Sequence, residues 1–203
     1  MVDRPIIFSA PMVRALSDDR KTQTRRLATS PLRRIKAGDR LYVRESYAVR
    51  GVYSDVVEIG YMAHERASHT EFVEQIPVAL VSEAVPTWPK YKPSIHMPRW
   101  ASRLTLVVEG VKVEPLQELE GQHPLESDAI AEGVRSIHHG DGDYFYSAFN
   151  DGPDPHNWCD PADAFRELWD SLHTAEGERW SDNPDVVALT FRVVRGNIDR
   201  IAA

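Results

Sequence analysis

Cysteine and long apolar runs are the two features that the sequence most clearly lacks. Its 203 residues include one cysteine, Cys159, which excludes an internal disulfide. The first eleven residues contain no continuous apolar segment as long as a signal peptide or a membrane span. These absences predict a cytoplasmic protein with no membrane partner.

Motifs that hold metals or phosphates are lacking as well. Histidine, glycine and aspartate cluster between His138 and Asp143, and His156 lies close to Cys159, but neither group has a known zinc spacing or a second pair of cysteines. The sequence contains neither a Gly-rich phosphate loop nor a serine-hydrolase elbow. We therefore expect no metal and no cofactor.

Charge is distributed unevenly along the chain. The net charge is −7, which disfavours a nucleic-acid partner for the molecule as a whole. Residues 1–50 nevertheless carry a net charge of +7, and residues 51–203 carry −14. An anionic ligand is therefore expected at the N-terminal quarter, although the basic and acidic segments could also neutralise one another across one surface.

The hydrophobic pattern predicts an α+β fold in one domain that spans residues 1–203. A hydrophobic content of 42% with five Trp is enough for one sizeable core, and no repeat or flexible linker appears. Alternation and short apolar runs predict strands at residues 6–8, 41–47, 103–113 and 186–194, with less regular candidates at 56–62 and 78–85.

Three short helices complete the predicted pattern. The first covers residues 11–19, the second covers 125–132 and ends at Gly133, and the third begins at Asp160-Pro161. Four prolines between Pro86 and Pro98 predict an irregular loop at 86–100, and residues 138–157 read as a second loop. This mixture predicts a barrel, open or closed, of mostly antiparallel strands with short peripheral helices.

Four segments, read in order, resemble the ASCH family, and in particular its larger bacterial and prophage members. The segments are Arg20-Lys21-Thr22-Gln23-Thr24-Arg25-Arg26, Gly38-Asp39-Arg40-Leu41, Pro93 to Arg103 and Ala129-Ile130-Ala131-Glu132-Gly133. The resemblance spans most of residues 5–194, with 50–86 and 134–158 as probable insertions. It implies a PUA-like β-barrel that handles a modified nucleoside or RNA.

The resemblance also implies a catalytic set. Smaller hydrolases of that family deacylate N4-acetylcytidine with a Thr, a Lys and a Glu, which match Thr24, Lys21 and Glu132 here, with Glu45 as the substitute carboxylate. A lysine accepts a proton only if burial or cationic neighbours lower its pKa, and Arg20, Arg25 and Arg26 are such neighbours.

The predicted set of Lys21, Thr24 and Glu132 carries two structural expectations. Glu132 falls in the last turn of its predicted helix, where the negative end of the helix dipole and partial burial favour a protonated carboxyl that donates a proton. Residues 21 and 24 of a regular strand face opposite sides, so Lys21 must lie on the turn before the strand. The plain alternative is a solvated surface Lys21 and an ordinary strand residue at Thr24.

A second hypothesis is an RNA-binding module or ribonuclease, and a third is a prophage-encoded reader of modified bases that performs no chemistry. Arg26 or Arg44 would then hold a phosphate or carbonyl, or form a plain cross-strand ion pair with Glu45. Tyr47, Trp88 and Trp100 are candidates for stacking on a base, although Trp100 suits the hydrophobic core equally well. The predicted binding residues are Arg20, Arg25, Arg26, Arg44, Glu45, Tyr47, Lys90, Lys92, Arg99, Trp100 and Arg103.

Overall fold

The computed structural model describes residues 1–63, 72–82, 84–85, 90–140 and 142–201. Packing divides the chain into two compact units. The first unit comprises Met1–Ser17, Arg40–Val107 and Val193–Ala203, and the second comprises Asp18–Asp39 and Val108–Arg192. Trp88 and residues 86–89 of the predicted loop lie outside the described residues, as does residue 141 in the cluster between His138 and Asp143.

Strands dominate the described part of the chain, and two short helices accompany them. The helices are α1 (Ala10–Ser17) and α2 (Pro161–Leu172). The strands are β1 (Asp3–Ile7), β2 (Gln23–Leu27), β3 (Arg40–Arg44), β4 (Tyr47–Val52), β5 (Val56–Tyr61), β6 (Phe72–Pro77), β7 (Leu104–Pro115), β8 (Arg135–His138), β9 (Tyr144–Ser147) and β10 (Asp185–Arg195). The prediction of a mixed α+β protein is confirmed.

The first unit contains two sets of paired strands. β1 runs parallel to β3, and β3 pairs antiparallel with the beginning of β7. β4, β5 and β6 form an antiparallel three-stranded sheet. Alternate apolar residues of β4 and β5 are buried, as expected of a sheet with one face on a core, and Met97 and Trp100 pack against them.

The second unit is built around β10, α2 and a hairpin. β10 pairs antiparallel with β2, and its residues Val186 to Leu189 are all buried. β8 pairs antiparallel with β9. The Asp160 side chain accepts a hydrogen bond from the Ala162 backbone N–H at 2.7 Å, so the predicted Asp160-Pro161 start of the helix is confirmed.

Several predicted elements have different bounds or do not form. The strand predicted at 41–47 divides into β3 and β4. The strand predicted at 78–85 is wrong, because β6 ends at Pro77 and Val78–Leu80 is a 3-10 turn. The loop predicted at 138–157 contains β9, which extends the hairpin begun by β8. Periodicity missed β9 because the strand has only four residues.

The helix predicted at 125–132 does not form. Pro124–Glu126 is a 3-10 turn, and turns lead from Asp128 to Gly133, whose φ is 101°. Two hydrogen bonds explain this difference, because they replace bonds of the helix. The Ser127 side chain accepts at Oγ from the Ala129 N–H, and the Asp128 backbone N–H donates to the Leu119 carbonyl. The helix-dipole argument for a protonated Glu132 therefore does not apply.

The strand pairings of the described residues form open sheets and a hairpin. They close no barrel, so the predicted PUA-like β-barrel is not confirmed. In the same residues, neither helix has the length and apolar character that crossing a bilayer requires.

The N-cap of α2 gives a prediction about stability. Replacing Asp160 by Ala removes the acceptor of the Ala162 N–H, so we expect the free energy of unfolding to fall by about 1 kcal/mol in urea titrations. Asp163→Ala is the matched control, since its half-exposed ion pair with Arg166 contributes only about 0.3–0.5 kcal/mol. Equal losses in both variants would contradict the capping role.

Candidate functional site

Lys21 lies on the connection before β2, which begins at Gln23. The backbone N–H groups of Thr22 and Gln23 both donate to the carbonyl of Ala131, at 2.8 and 2.9 Å. These two bonds hold the turn of residues 128–133 against the beginning of β2. They place Lys21 opposite Glu132, and the prediction that Lys21 precedes the strand is confirmed.

Lys21 and Glu132 form a buried ion pair. The Lys21 ammonium donates to Glu132 Oε2 at 2.9 Å and also to the Glu132 backbone carbonyl. Both residues are only 2% exposed, so the alternative of a solvated surface lysine is wrong. Burial lowers the pKa of Lys21, Glu132 opposes that change, and the nearby Arg26 and Arg25 lower the pKa further.

Arg25 connects the same carboxylate to two others. Its Nη1 donates to Glu132 Oε1 at 3.1 Å, and its Nη2 donates to Glu114 at 2.8 Å and to Asp128 at 2.6 Å. Burial opposes protonation, but the three carboxylates raise the pKa of Arg25. Arg25 was predicted to bind a ligand, and the structure shows it fixing the Glu132 carboxylate instead.

Thr24 and Arg26 lie on the opposite face of β2 from Arg25, because side chains alternate along a strand. Thr24 is fully buried, and its Oγ1 accepts a hydrogen bond from Arg26 Nη1 at 2.7 Å. Burial lowers the pKa of Arg26, whereas Glu132 raises it. Arg26 therefore touches Thr24 directly and acts electrostatically on both Lys21 and Glu132.

Arg20 was expected to help lower the pKa of Lys21, and its contacts are different. Its guanidinium bonds to Asp18 at 3.1 Å and to the Gly133 carbonyl at 3.4 Å. The cations that act on Lys21 are Arg26 and Arg25. The predicted effect on the pKa of Lys21 is therefore found for Arg25 and Arg26.

Glu45 belongs to a separate buried pair in the first unit. Arg103 donates through Nε and Nη2 to the two oxygens of Glu45, at 2.8 and 3.1 Å, and its guanidinium lies 4.4 Å from the centre of the Tyr61 ring. The expected pairing of Glu45 with Arg26 or Arg44 is wrong, since the fork of Arg103 matches the carboxylate. Burial raises the pKa of Glu45, and Arg103 opposes this.

Most of the other predicted binding residues of the first unit contact the protein itself. Arg99 bonds to Asp199 and Asp3, and Arg44 donates to the Ile95 carbonyl. Tyr47 and Trp100 are buried in the hydrophobic cluster, so neither ring presents a face to a base. Lys90 is exposed, and Lys92 pairs with Tyr47 through the backbone.

Metal binding has no support from side-chain geometry in the described ranges. No three His, Cys, Asp or Glu side chains converge there as a metal site would require. In the region around His138 and His139, the latter contacts Asn157 at 3.1 Å and the Phe145 ring at 4.3 Å. Cys159 is exposed.

Sequence reasoning missed Glu114 and Asp128, which complete the charge network around Arg25. Glu114 is buried in β7 although residues on both sides of it are exposed, and Asp128 lies in a turn that was predicted to be helical. A buried carboxylate requires a cationic partner, but the burial of Glu114 is seen in the structure and not in the sequence.

Comparisons of the chain with sequence models of protein families, with curated proteins and with solved structures found no significant match. The interpretation of the site therefore depends on its residues and their geometry. The resemblance to the ASCH family stays a prediction.

The lowered pKa of Lys21 predicts how stability depends on pH. The ordinary lysine pKa is 10.5, so the unfolded chain binds this proton more tightly than the folded chain. Between the lowered pKa and 10.5 the unfolded state therefore holds more protons, and the free energy of unfolding rises with pH, by at most about 1.4 kcal/mol per pH unit.

The variant Lys21→Met has no ammonium at this position, so its free energy of unfolding lacks the pH-dependent contribution of Lys21. Urea unfolding of both proteins from about pH 7 to about pH 10 should give a difference, native minus variant, that increases with pH. A difference that is constant or that decreases would show that the pKa of Lys21 is not lowered in the folded chain.

Proposed function

We propose that this protein acts on a modified nucleobase, and that its second unit hydrolyses the acyl amide of an N4-acetylcytidine-like nucleoside. The observation that supports the proposal is the buried Lys21–Glu132 ion pair, three residues before Thr24 and coupled to it through Arg26. A lysine with a lowered pKa is more readily neutral, which a proton acceptor requires. Lys21, Thr24 and Arg26 lie in the segment 20–26, and Glu132 lies in the segment 129–133; both segments resemble the ASCH family.

The proposed reaction begins at the Thr24 hydroxyl. Oγ1 attacks the acyl carbonyl carbon, and its proton passes to the neutral Nζ of Lys21. The tetrahedral intermediate collapses with cleavage of the C–N bond, and the amine of the base leaves with the proton from the Lys21 ammonium. Water then hydrolyses the acyl-threonine ester, so that amide and water give cytidine and a carboxylic acid.

The neighbouring charges suit this sequence of steps. Arg26 donates to Thr24 Oγ1, and a cation at that position stabilises negative charge on the attacking or carbonyl oxygen. Glu132 holds the Lys21 ammonium in one orientation, and Arg25 fixes the other oxygen of the same carboxylate. Arg25 is therefore a positioning residue, whereas Thr24 and Lys21 contact the reacting atoms.

Access to the site requires a conformational change. Thr24 and Lys21 are 0% and 2% exposed, whereas the Asp128 side chain is 40% exposed at the outer edge of the network. We expect the turn of residues 128–133 to move when a substrate binds, because this turn carries the carboxylate that holds Lys21. Opening would also expose Lys21 to water, and closure over the substrate would restore the lowered pKa.

RNA binding through residues 90–103 is less well supported than the hydrolase. Arg99 and Arg103 are bonded to carboxylates, so a phosphate would have to displace Asp199 or Glu45. A reader of modified bases would use the second unit without turnover. Nucleoside-dependent thermal stabilisation in the absence of product formation would identify that function.

Hydrolysis is tested by incubating the protein with N4-acetylcytidine and following cytidine by chromatography. We expect turnover that falls by about 10²–10⁴-fold in Lys21→Met and in Thr24→Val, because each variant removes a reacting group. Thr22→Val is the matched control, since Thr22 is exposed on the same segment, and it should retain activity. No turnover by the native protein, or equal turnover in all variants, would contradict the proposal.

A further inference from the structure

Besides the cations of the candidate site, the second unit carries three exposed cations close together in the sequence. Residues 20–38 contain seven Lys or Arg and no Asp or Glu, within a chain of net charge −7. Four of the seven are Arg20, Lys21, Arg25 and Arg26, whose contacts are described above. The other three, Arg33, Arg34 and Lys36, are exposed on the segment 31–36, here called the basic turn.

The basic turn has a fixed backbone. Pro31–Arg34 is a 3-10 turn in which Ser30 Oγ accepts from Leu32 N at 3.3 Å. Leu32 and Ile35 are buried, with exposed fractions of 9% and 3%, and anchor the segment at two points. The cations therefore project from an ordered surface, which lowers the entropic cost of binding.

The three cations of the basic turn form no ion pair within the described ranges. This distinguishes them from Arg99, Arg103 and Arg25, each of which is bonded to a carboxylate. A phosphate would meet these three side chains without displacing a protein carboxylate. Two of the three are arginines, whose planar fork matches phosphate oxygens.

We propose that the basic turn binds the phosphate backbone of single-stranded RNA, so that the substrate base is presented within a strand rather than as a nucleoside. This inference rests on the proposed function for the identity of the base. A base that enters a buried site must be unpaired, which favours a single strand over a duplex.

An anionic membrane fits the basic turn less well. Membrane-surface segments insert apolar side chains or carry about four to eight cations. The apolar residues of the turn, Leu32 and Ile35, are buried, and it offers three cations. Binding to the turn should therefore be electrostatic and sensitive to salt.

The experiment compares two triple variants with the same change in charge. Arg33→Gln, Arg34→Gln and Lys36→Gln are combined in the turn variant. Arg166→Gln, Arg179→Gln and Arg192→Gln are combined in the control variant, because these cations lie elsewhere in the second unit and already contact protein oxygens. Fluorescence anisotropy measures binding of an unmodified single-stranded RNA oligonucleotide as a function of salt.

Three phosphate contacts predict a slope of log affinity against log salt of about −2, or a loss of about 20-fold between about 50 and 200 mM salt. The turn variant should lose most of this slope, and the control variant should keep it. Equal affinity and slope in the two variants would overturn the proposal. So would binding to vesicles of phosphatidylserine and phosphatidylcholine in place of the RNA.

A kinetic comparison tests presentation of the base in a strand. For an RNA oligonucleotide that contains one N4-acetylcytidine, kcat/KM should fall by about 10-fold or more in the turn variant, while turnover of the nucleoside stays unchanged. Equal effects on both substrates would overturn this part. The binding experiment uses unmodified RNA and needs no turnover, so failure of the hydrolase proposal is distinguishable from failure of the basic turn.

Discussion

The sharing of one buried carboxylate by two cations is the interaction on which the second unit depends. Glu132 gives one oxygen to Lys21 and the other to Arg25, and all three residues are almost fully buried. A buried charge is costly unless its hydrogen bonds are satisfied, so the surrounding chain must hold these groups in place. The bonds from Thr22 and Gln23 to Ala131 do this, because they attach the turn that carries Glu132 to β2.

Glu45 in the first unit and Glu132 in the second unit are both buried carboxylates, and they differ in the cation that each is paired with. Glu45 is matched by one arginine fork, and an arginine remains protonated under ordinary conditions. Glu132 is paired in part with a lysine, whose pKa is lowered by burial. The second unit therefore holds a buried lysine with a lowered pKa, next to a strand that carries a buried hydroxyl and a second cation. This contrast favours Lys21 over the Glu45 pair as the centre of the proposed reaction.

The sequence predicted those helices and strands whose bounds are set by neighbouring residues. Asp160-Pro161 marked the beginning of α2, and the apolar run near the C-terminus marked β10. The turn of residues 128–133 was predicted as a helix, because two of the bonds that replace the helix join Asp128 to residues distant in sequence, Leu119 and Arg25. For the same reason the sequence indicated Lys21, Thr24 and Glu132 by resemblance but gave no sign of Glu114 or Asp128. Ion-pair partners are set by tertiary packing, which a single sequence does not reveal.

The protonation of Lys21 decides whether this residue is a reactive group or a structural one. Heteronuclear NMR of the lysine side chains, with the Lys21 signal assigned by its loss in Lys21→Met, gives the pKa of this one group in the folded protein. We expect a pKa below the ordinary 10.5 that rises when Arg26→Met removes a neighbouring positive charge. A pKa at or above 10.5 would contradict the account, because Lys21 would then be a permanently charged structural group.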